Sequence, residues 1–179
     1  MKTKLLSSFF MFSLLFISCS SDDSDNNDGG MEEVEETLLY YSDISFSFDN
    51  SARFFATSTG EMYGESGLGT TALEEIDIVG DSNQAFIAFI SPSDDSATSQ
   101  GGKTTKYQYQ NVTLTAAQFD AMTDDSLLKD LTVTDESESL PIDSQGAIVI
   151  FENAAGKKGA IKIGSINATR LLVDIKVQK

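Results

Sequence analysis

The sequence predicts an α+β fold: a mainly antiparallel sheet with a C-terminal three-stranded meander and one or two short helices packed on one face. Three features predict it. Apolar and polar residues alternate strictly near both ends of the folded part, at residues 44–48 and 173–178. Such a period of two marks half-buried strands. The last three apolar segments are joined by short Gly- and Asn-containing turns, which fit antiparallel neighbours. A single region, residues 114–131, carries a helix-start signal and helical spacing. Sheet and helices then pack face to face.

In chain order, "LLYYSDISFSF" (38–48) turns Ile44, Phe46 and Phe48 to one side and Asp43, Ser45 and Ser47 to the other. Asp49-Asn50 is a turn signal. Residues 52–64 supply a partner strand, with Gly60 as a turn or bulge. "GESGLGTTA" is a loop whose glycine spacing fits neither phosphate-binding pattern, and no lysine follows. "IDIVG" and "QAFIAFISP" read as two strands joined by Asp81-Ser82-Asn83. The unbroken run Phe86–Ile90 predicts a strand covered on both faces, ended by Pro92. Residues 91–102 form the longest loop signal. "KTTKYQYQNVTL" (103–114) returns as the most polar strand, which places it at a sheet edge. There Thr105, Tyr107, Tyr109 and Asn111 share one face.

Thr115 followed by Gln118 is a capping box, in which hydroxyl and amide each satisfy a helix-start N–H. Thr123-Asp124 interrupts the spacing, so two short helices or one kinked helix are expected over 114–131. "TDESESLPIDSQG" reads as loop. "AIVIFE", "AIKIGSI" and "LLVDIKVQK" make the meander. In the last of these Leu171, Val173, Ile175 and Val177 face the core, and Leu172, Asp174, Lys176 and Gln178 face out.

The N-terminus has a different origin. Lys2 and Lys4 precede an apolar run, Leu5–Ile17, broken only by serines. A basic start, an apolar middle and a small residue before the cut describe a signal peptide. The run is short of the roughly 20 residues that span a bilayer. Phe16-Ile17-Ser18-Cys19 resembles the lipobox of bacterial lipoproteins, with Phe16 where leucine is more usual. The resemblance implies cleavage before Cys19 and a diacylglycerol on its sulfur. Cys19 is the only cysteine, so a disulfide is excluded. Three segments follow: a signal peptide at 1–18, an acidic flexible tether at 19–36 with nothing apolar to bury in its first half, and one folded domain at 37–179.

The string Ser20-Ser21-Asp22-Asp23-Ser24-Asp25 resembles the signal that carries lipoproteins of the Bacteroidota to the outer face of the outer membrane. "EIDIVG", "AFISP", "TAAQFDA", "AIVIFENAAGKKGAIKIGSI" and the closing "VDIKVQK" resemble a group of surface lipoproteins of that phylum, of flavobacterial type, without an established activity. The resemblance covers roughly residues 70–179; its GKKGAIKI hairpin and its closing segment are the most specific features. It implies a location and a fold. Asp95-Ser96-Ala97 and Asp125-Ser126-Leu127 resemble the O-glycan acceptor of exported proteins in the phylum, with Ser96 and Ser126 as the modified residues.

Charge and composition bound the chemistry. The chain carries a net charge of −16 and no histidine. Loss of residues 1–18 removes Lys2 and Lys4 and no acid, leaving −18. Phosphate contacts need clustered lysine and arginine, so no nucleic acid is expected as a partner. Contact with the membrane is expected through the lipid anchor only, since an acidic head is repelled by anionic headgroups. Without histidine or a second cysteine, His-dependent triads and imidazole or paired-thiolate metal sites are excluded. No cofactor or metal is assigned.

Carboxylate pairs remain as chemical groups. Asp94-Asp95 and Asp124-Asp125 could perform acid–base work, but a raised pKa needs burial that their polar surroundings do not offer. Neither stretch has the ligand pattern of a calcium loop. The expected function is therefore that of a non-catalytic, lipid-anchored outer-membrane module that binds a surface protein or extracellular ligand. The alternative is a glycan-binding accessory protein of a nutrient-uptake system. In that reading Tyr107 and Tyr109, two residues apart on an edge strand, form a sugar platform. The competing expectation is that both rings cover the sheet, with their hydroxyls wet.

Overall fold

The structure, a computed structural model, describes residues 36–98 and 101–179. The expected signal peptide, Cys19 and the tether as far as residue 35 lie outside the described residues.

The strands are β1 (Leu38–Ser47), β2 (Phe54–Ala56), β3 (Glu61–Tyr63), β4 (Ile78–Gly80), β5 (Phe86–Ile87), β6 (Phe89–Ile90), β7 (Lys106–Gln108), β8 (Leu140–Pro141), β9 (Ile148–Glu152), β10 (Lys158–Ile166) and β11 (Arg170–Gln178). The helices are α1 (Thr70–Leu73), α2 (Ala116–Ala121) and α3 (Ser126–Lys129), beside a 3-10 turn at Glu65–Gly67. The strands form a five-stranded sheet in the order β1-β11-β10-β9-β7, a four-stranded sheet β3-β2-β4-β6, and a pair β5-β8. Their pairings are antiparallel.

This corrects the α+β expectation. The fold is largely β, and its helices are too short to make a layer. The Thr115–Gln118 capping box does form and starts α2. Yet Met122 is already extended, with ψ of 121°, and ends the helix after six residues. A helix this short has no stability of its own. What covers that side of the five-stranded sheet is a mixture of single turns and coil. Leu114, Phe119, Met122, Leu128 and Val133 from this region pack on Leu38, Ile148, Ile150 and Ala160.

The other face of the five-stranded sheet meets the smaller sheets across the main core. Phe46, Tyr107, Val149, Phe151, Ile161, Val173 and Ile175 pack there with Phe55, Ile78, Ile87 and Phe89. Both faces of the large sheet are thus covered, which is why the run "IVIF" in β9 is apolar at every position. The apolar run Phe86–Ile90 does not form one strand. It is divided at Ala88, which hydrogen-bonds Ser82 through its N–H (3.0 Å) and C=O (3.2 Å). β5 joins β8 and β6 joins β4.

Lys176 departs from the outward position that alternation predicts. It is 6% exposed, and its ammonium donates to the carbonyls of Phe119 (2.8 Å) and Met122 (2.7 Å). The coil and short helix above β11 close over it. Burial lowers its pKa.

Candidate functional site

β7 is an edge strand of the five-stranded sheet, but its tyrosines do not face solvent. Tyr107 is 2% exposed and Tyr109 5%. An edge strand lacks a neighbour on one side; its faces can still be covered, and here one face lies against β4 and β6. The Tyr107 hydroxyl donates to the Asp77 C=O at 3.1 Å, and its ring stacks on Phe89 at a centroid distance of 6.2 Å. The Tyr109 hydroxyl bonds the Phe89 backbone. Burial pushes both phenol pKa values up. The exposed sugar platform expected at Tyr107 and Tyr109 is corrected by this packing: neither ring face is free to stack, and neither hydroxyl is wet.

The expected modification serines sit elsewhere. Ser96 is exposed in the 91–98 loop, where its hydroxyl donates to Asp94 at 2.6 Å. Ser126 is exposed as the first residue of α3, with its N–H on Asp124 at 2.9 Å. Hydrogen bonds from Ser96 hold the Asp94 pKa below its ordinary value, and those from Ser126 do the same for Asp124. Asp125 is buried, 7% exposed. Its carboxylate pairs with Lys129 at 2.9 Å and accepts from Gln178 at 3.0 Å. The Lys129 contact lowers its pKa. All three stay ionised at neutral pH, whereas a general acid needs a raised pKa.

A concavity lies beside β7. It is a cleft of about 680 Å³, within the usual range of about 300–1,000 Å³ for ligand sites. Three stretches wall it: residues 88–91 with Ser93 and Asp94, then Thr104, Thr105 and Tyr107, then Asp135–Ser139, with Asp81 also in the lining. Hydroxyls and carboxylates dominate. Ser91 and Ser93 join oxygens at 2.8 Å, and Thr104 donates to Ser93 at 3.2 Å. Among the described residues, no three acidic side chains converge as a metal site requires.

The register places an open stretch of backbone in this cleft. Asn153 donates to Lys157 and Ile163 to Ala147, which turns the odd-numbered peptides of β9 towards β10. β7 is therefore bonded through Glu152 and Ile150, the partners of Lys106 and Gln108. Tyr107 consequently turns its peptide outward, away from β9. Its C=O takes the Glu136 N–H at 2.9 Å. The Tyr109 and Gln110 N–H groups reach the Glu136 carboxylate at 3.0 and 3.2 Å, and the Thr105 N–H reaches Ser91 Oγ at 2.9 Å. The Tyr107 N–H and Thr105 C=O, between these bonds, have no such partner among the described residues. The chain leaves β7 beyond Glu136 and pairs with β5 at Leu140 and Pro141.

Thr105 carries a second open group. It is 2% exposed, it lines the cleft, and its buried hydroxyl has no hydrogen-bond partner among the described residues. Such a group costs about 1–3 kcal/mol. In sequence, Thr105 lies on the tyrosine face and "DESES" (135–139) reads only as loop. The hydroxyl and carboxylate density of those two stretches was the available signal.

No family model and no curated protein matches this chain. In fold it is similar to the crystal structure of a DUF4466 family protein from Parabacteroides merdae, with a TM-score of 0.60 at 16% identity. The match covers 80% of this chain and 54% of the other, so the chain spans about half the length of that protein. At this identity the likeness is one of fold alone, to a protein of the Bacteroidota.

Proposed function

We propose that this protein is a non-catalytic binding module, held at the outer face of the outer membrane by acyl chains on Cys19, with the cleft beside β7 as its binding site. The observation that carries the reading is the cleft itself, in which a buried hydroxyl and part of a strand edge have no partner among the described residues. A folded chain that leaves such groups unpaired gains when a ligand pairs them. The non-catalytic part is supported by Asp94, Asp124 and Asp125, whose pKa values are lowered. The anchor is supported by the sequence around Cys19. One acyl chain holds a protein only marginally, whereas two or more hold it stably.

Mass spectrometry of the mature protein, expressed in a host of the Bacteroidota, tests the anchor. The expected N-terminal residue is a diacylglyceryl Cys19, and Cys19→Ala abolishes the modification and releases the protein from membranes. Protease treatment of intact cells is expected to remove the domain. An unmodified thiol, or protection until the outer membrane is opened, overturns the reading. A broad ligand screen tests the binding part, with hydrogen exchange of residues 104–108 as the readout. No protection by any ligand overturns it.

A further inference from the structure

We propose that the cleft takes a short extended peptide bearing lysine or arginine, which adds to the outer edge of β7. The inference rests on the cleft being the binding site and names the class of ligand.

The backbone argues for a peptide. The Tyr107 N–H and Thr105 C=O, without a partner among the described residues, lie on one side of one strand. An added strand offers a carbonyl to the first and an N–H to the second, the mode by which extended peptides join open sheet edges. Neighbouring stretches of this edge are already bonded: the Ser91 hydroxyl takes the Thr105 N–H, and the Glu136 N–H takes the Tyr107 C=O. The opening is thus short. An incoming segment makes few main-chain bonds and must draw affinity from its side chains as well.

The walls argue for positive charge. Asp81, Asp94, Asp135, Glu136 and Glu138 line the cleft, and no lysine or arginine does so among the described residues. Arg53 offsets Asp81 at 3.4 Å, and Glu136 is engaged by the β7 amides. Asp135 and Glu138 are exposed and carry no ion pair among the described residues. Charge complementarity of this kind steers a basic partner and rejects an acidic one. The buried Thr105 hydroxyl provides one further group for the ligand to satisfy. A sugar finds no exposed ring to stack on, because the Phe89 and Tyr107 rings are buried.

The test uses the detergent-solubilised full chain and a fluorescein-labelled octapeptide of alternating threonine and lysine, followed by anisotropy. Binding is expected, weakening as salt is raised. The threonine–glutamate counterpart is expected to bind at least tenfold more weakly. Two N-methylated versions, one methylated on every lysine and one on every threonine, separate edge pairing from charge. One of them is expected to lose at least tenfold and the other much less, because alternate peptides of a strand face opposite edges. Asp135→Asn combined with Glu138→Gln is expected to weaken binding at least fivefold. Thr105→Val is expected to weaken it too, while raising the urea midpoint of the free protein, which shows that the variant folds. Hydrogen exchange is expected to slow at Tyr107 when the peptide is added.

Absence of binding, equal binding of the acidic peptide, or equal binding of both N-methylated forms overturns the proposal. A glycan that protects residues 104–108 and is lost in Thr105→Val overturns the peptide assignment while leaving the cleft as the binding site. If neither peptide nor glycan protects these residues, the cleft loses its role as well.

Discussion

The Tyr109 hydroxyl accepts the Phe89 N–H at 2.7 Å and donates to the Phe89 C=O at 2.6 Å. One side chain from the end of β7 thereby does for β6 what a neighbouring strand would do. Phe89 lies at the open edge of the four-stranded sheet, its peptide turned away from β4. Tyr109 belongs to the five-stranded side. The bond pair therefore ties the two sheets together beside the cleft that Phe89 lines.

Tyr109→Phe is expected to cost about 2–4 kcal/mol, because it leaves both a buried N–H and a buried C=O unpaired. Tyr107→Phe strands only the Asp77 C=O and is expected to cost about 1–2 kcal/mol. Urea unfolding of the two variants measures the difference. Equal losses would mean that water takes the place of the Tyr109 hydroxyl.

Glu136 gives the second such arrangement, at the outer edge of β7. Its carboxylate accepts two consecutive backbone N–H groups, from Tyr109 and Gln110. Glu136→Ala is expected to speed hydrogen exchange at both amides and to cost about 1–2 kcal/mol, as charged acceptors do when removed from partly exposed bonds. Glu136→Gln, which keeps one oxygen, is expected to fall between. Unchanged exchange in the alanine variant would show that the edge is held by something other than this side chain.

These relationships explain what could be read from the sequence and what could not. The alternation of Leu171, Val173, Ile175 and Val177 reports burial correctly, since all four are in the core. The Thr115–Gln118 capping box also forms. Both signals are local. The extent of the helices is not local: α2 stops where tertiary packing pulls Met122 into extended backbone, and nothing in the spacing of Leu127, Leu128 and Leu131 reveals that. The polar look of residues 103–114 identified an edge, but an edge describes missing backbone partners and not the burial of either face. The sugar-platform reading of Tyr107 and Tyr109 fails for that reason, while the competing expectation that both rings pack against the sheet agrees with their burial. Lys176 follows the alternation outward until the Phe119–Met122 segment closes over it. The cleft was out of reach because its walls come from three stretches distant in sequence, and an unpartnered Thr105 hydroxyl has no sequence signature.

Gly159 is a third case in which a neighbour decides the residue. It lies opposite Phe151 in the β9–β10 register. A Cβ there would stand 2.3 Å from Phe151 Cζ and 2.9 Å from the Lys176 carbonyl oxygen. Gly159→Ala is therefore expected to cost about 1–3 kcal/mol by overpacking, despite the entropy an alanine saves in a strand. Gly67→Ala, where nothing lies within 4 Å of the new methyl, is expected to change stability by no more than about 0.5 kcal/mol. Similar values for the two, measured by thermal or urea unfolding, would refute the close contact with Phe151.

The tyrosines also set the response to alkali. All five have raised pKa values: burial is the main cause for Tyr40, Tyr41, Tyr107 and Tyr109, and the Glu61 carboxylate that accepts the Tyr63 hydroxyl pushes that group up to about 12. Their ordinary value in an unfolded chain is 10.0. Above that pH the unfolded chain gives up phenol protons that the folded chain still holds, so the unfolded state binds fewer protons and stability falls. Their contribution is complete below pH 10 and is lost as the pH rises through the raised values. Lys176, whose pKa is lowered by burial from 10.5, acts in the opposite sense as the pH rises towards that value, but it is one group against five. Unfolding free energy is expected to fall from about pH 10 upward, with tyrosinate absorbance and loss of circular dichroism appearing together. Tyr107→Phe removes one buried phenol and is expected to take up to about 1.4 kcal/mol per pH unit off that slope. If Tyr107 and Tyr109 instead ionised with the sheet signal intact near pH 10, they could not be the closed inter-sheet contacts described above.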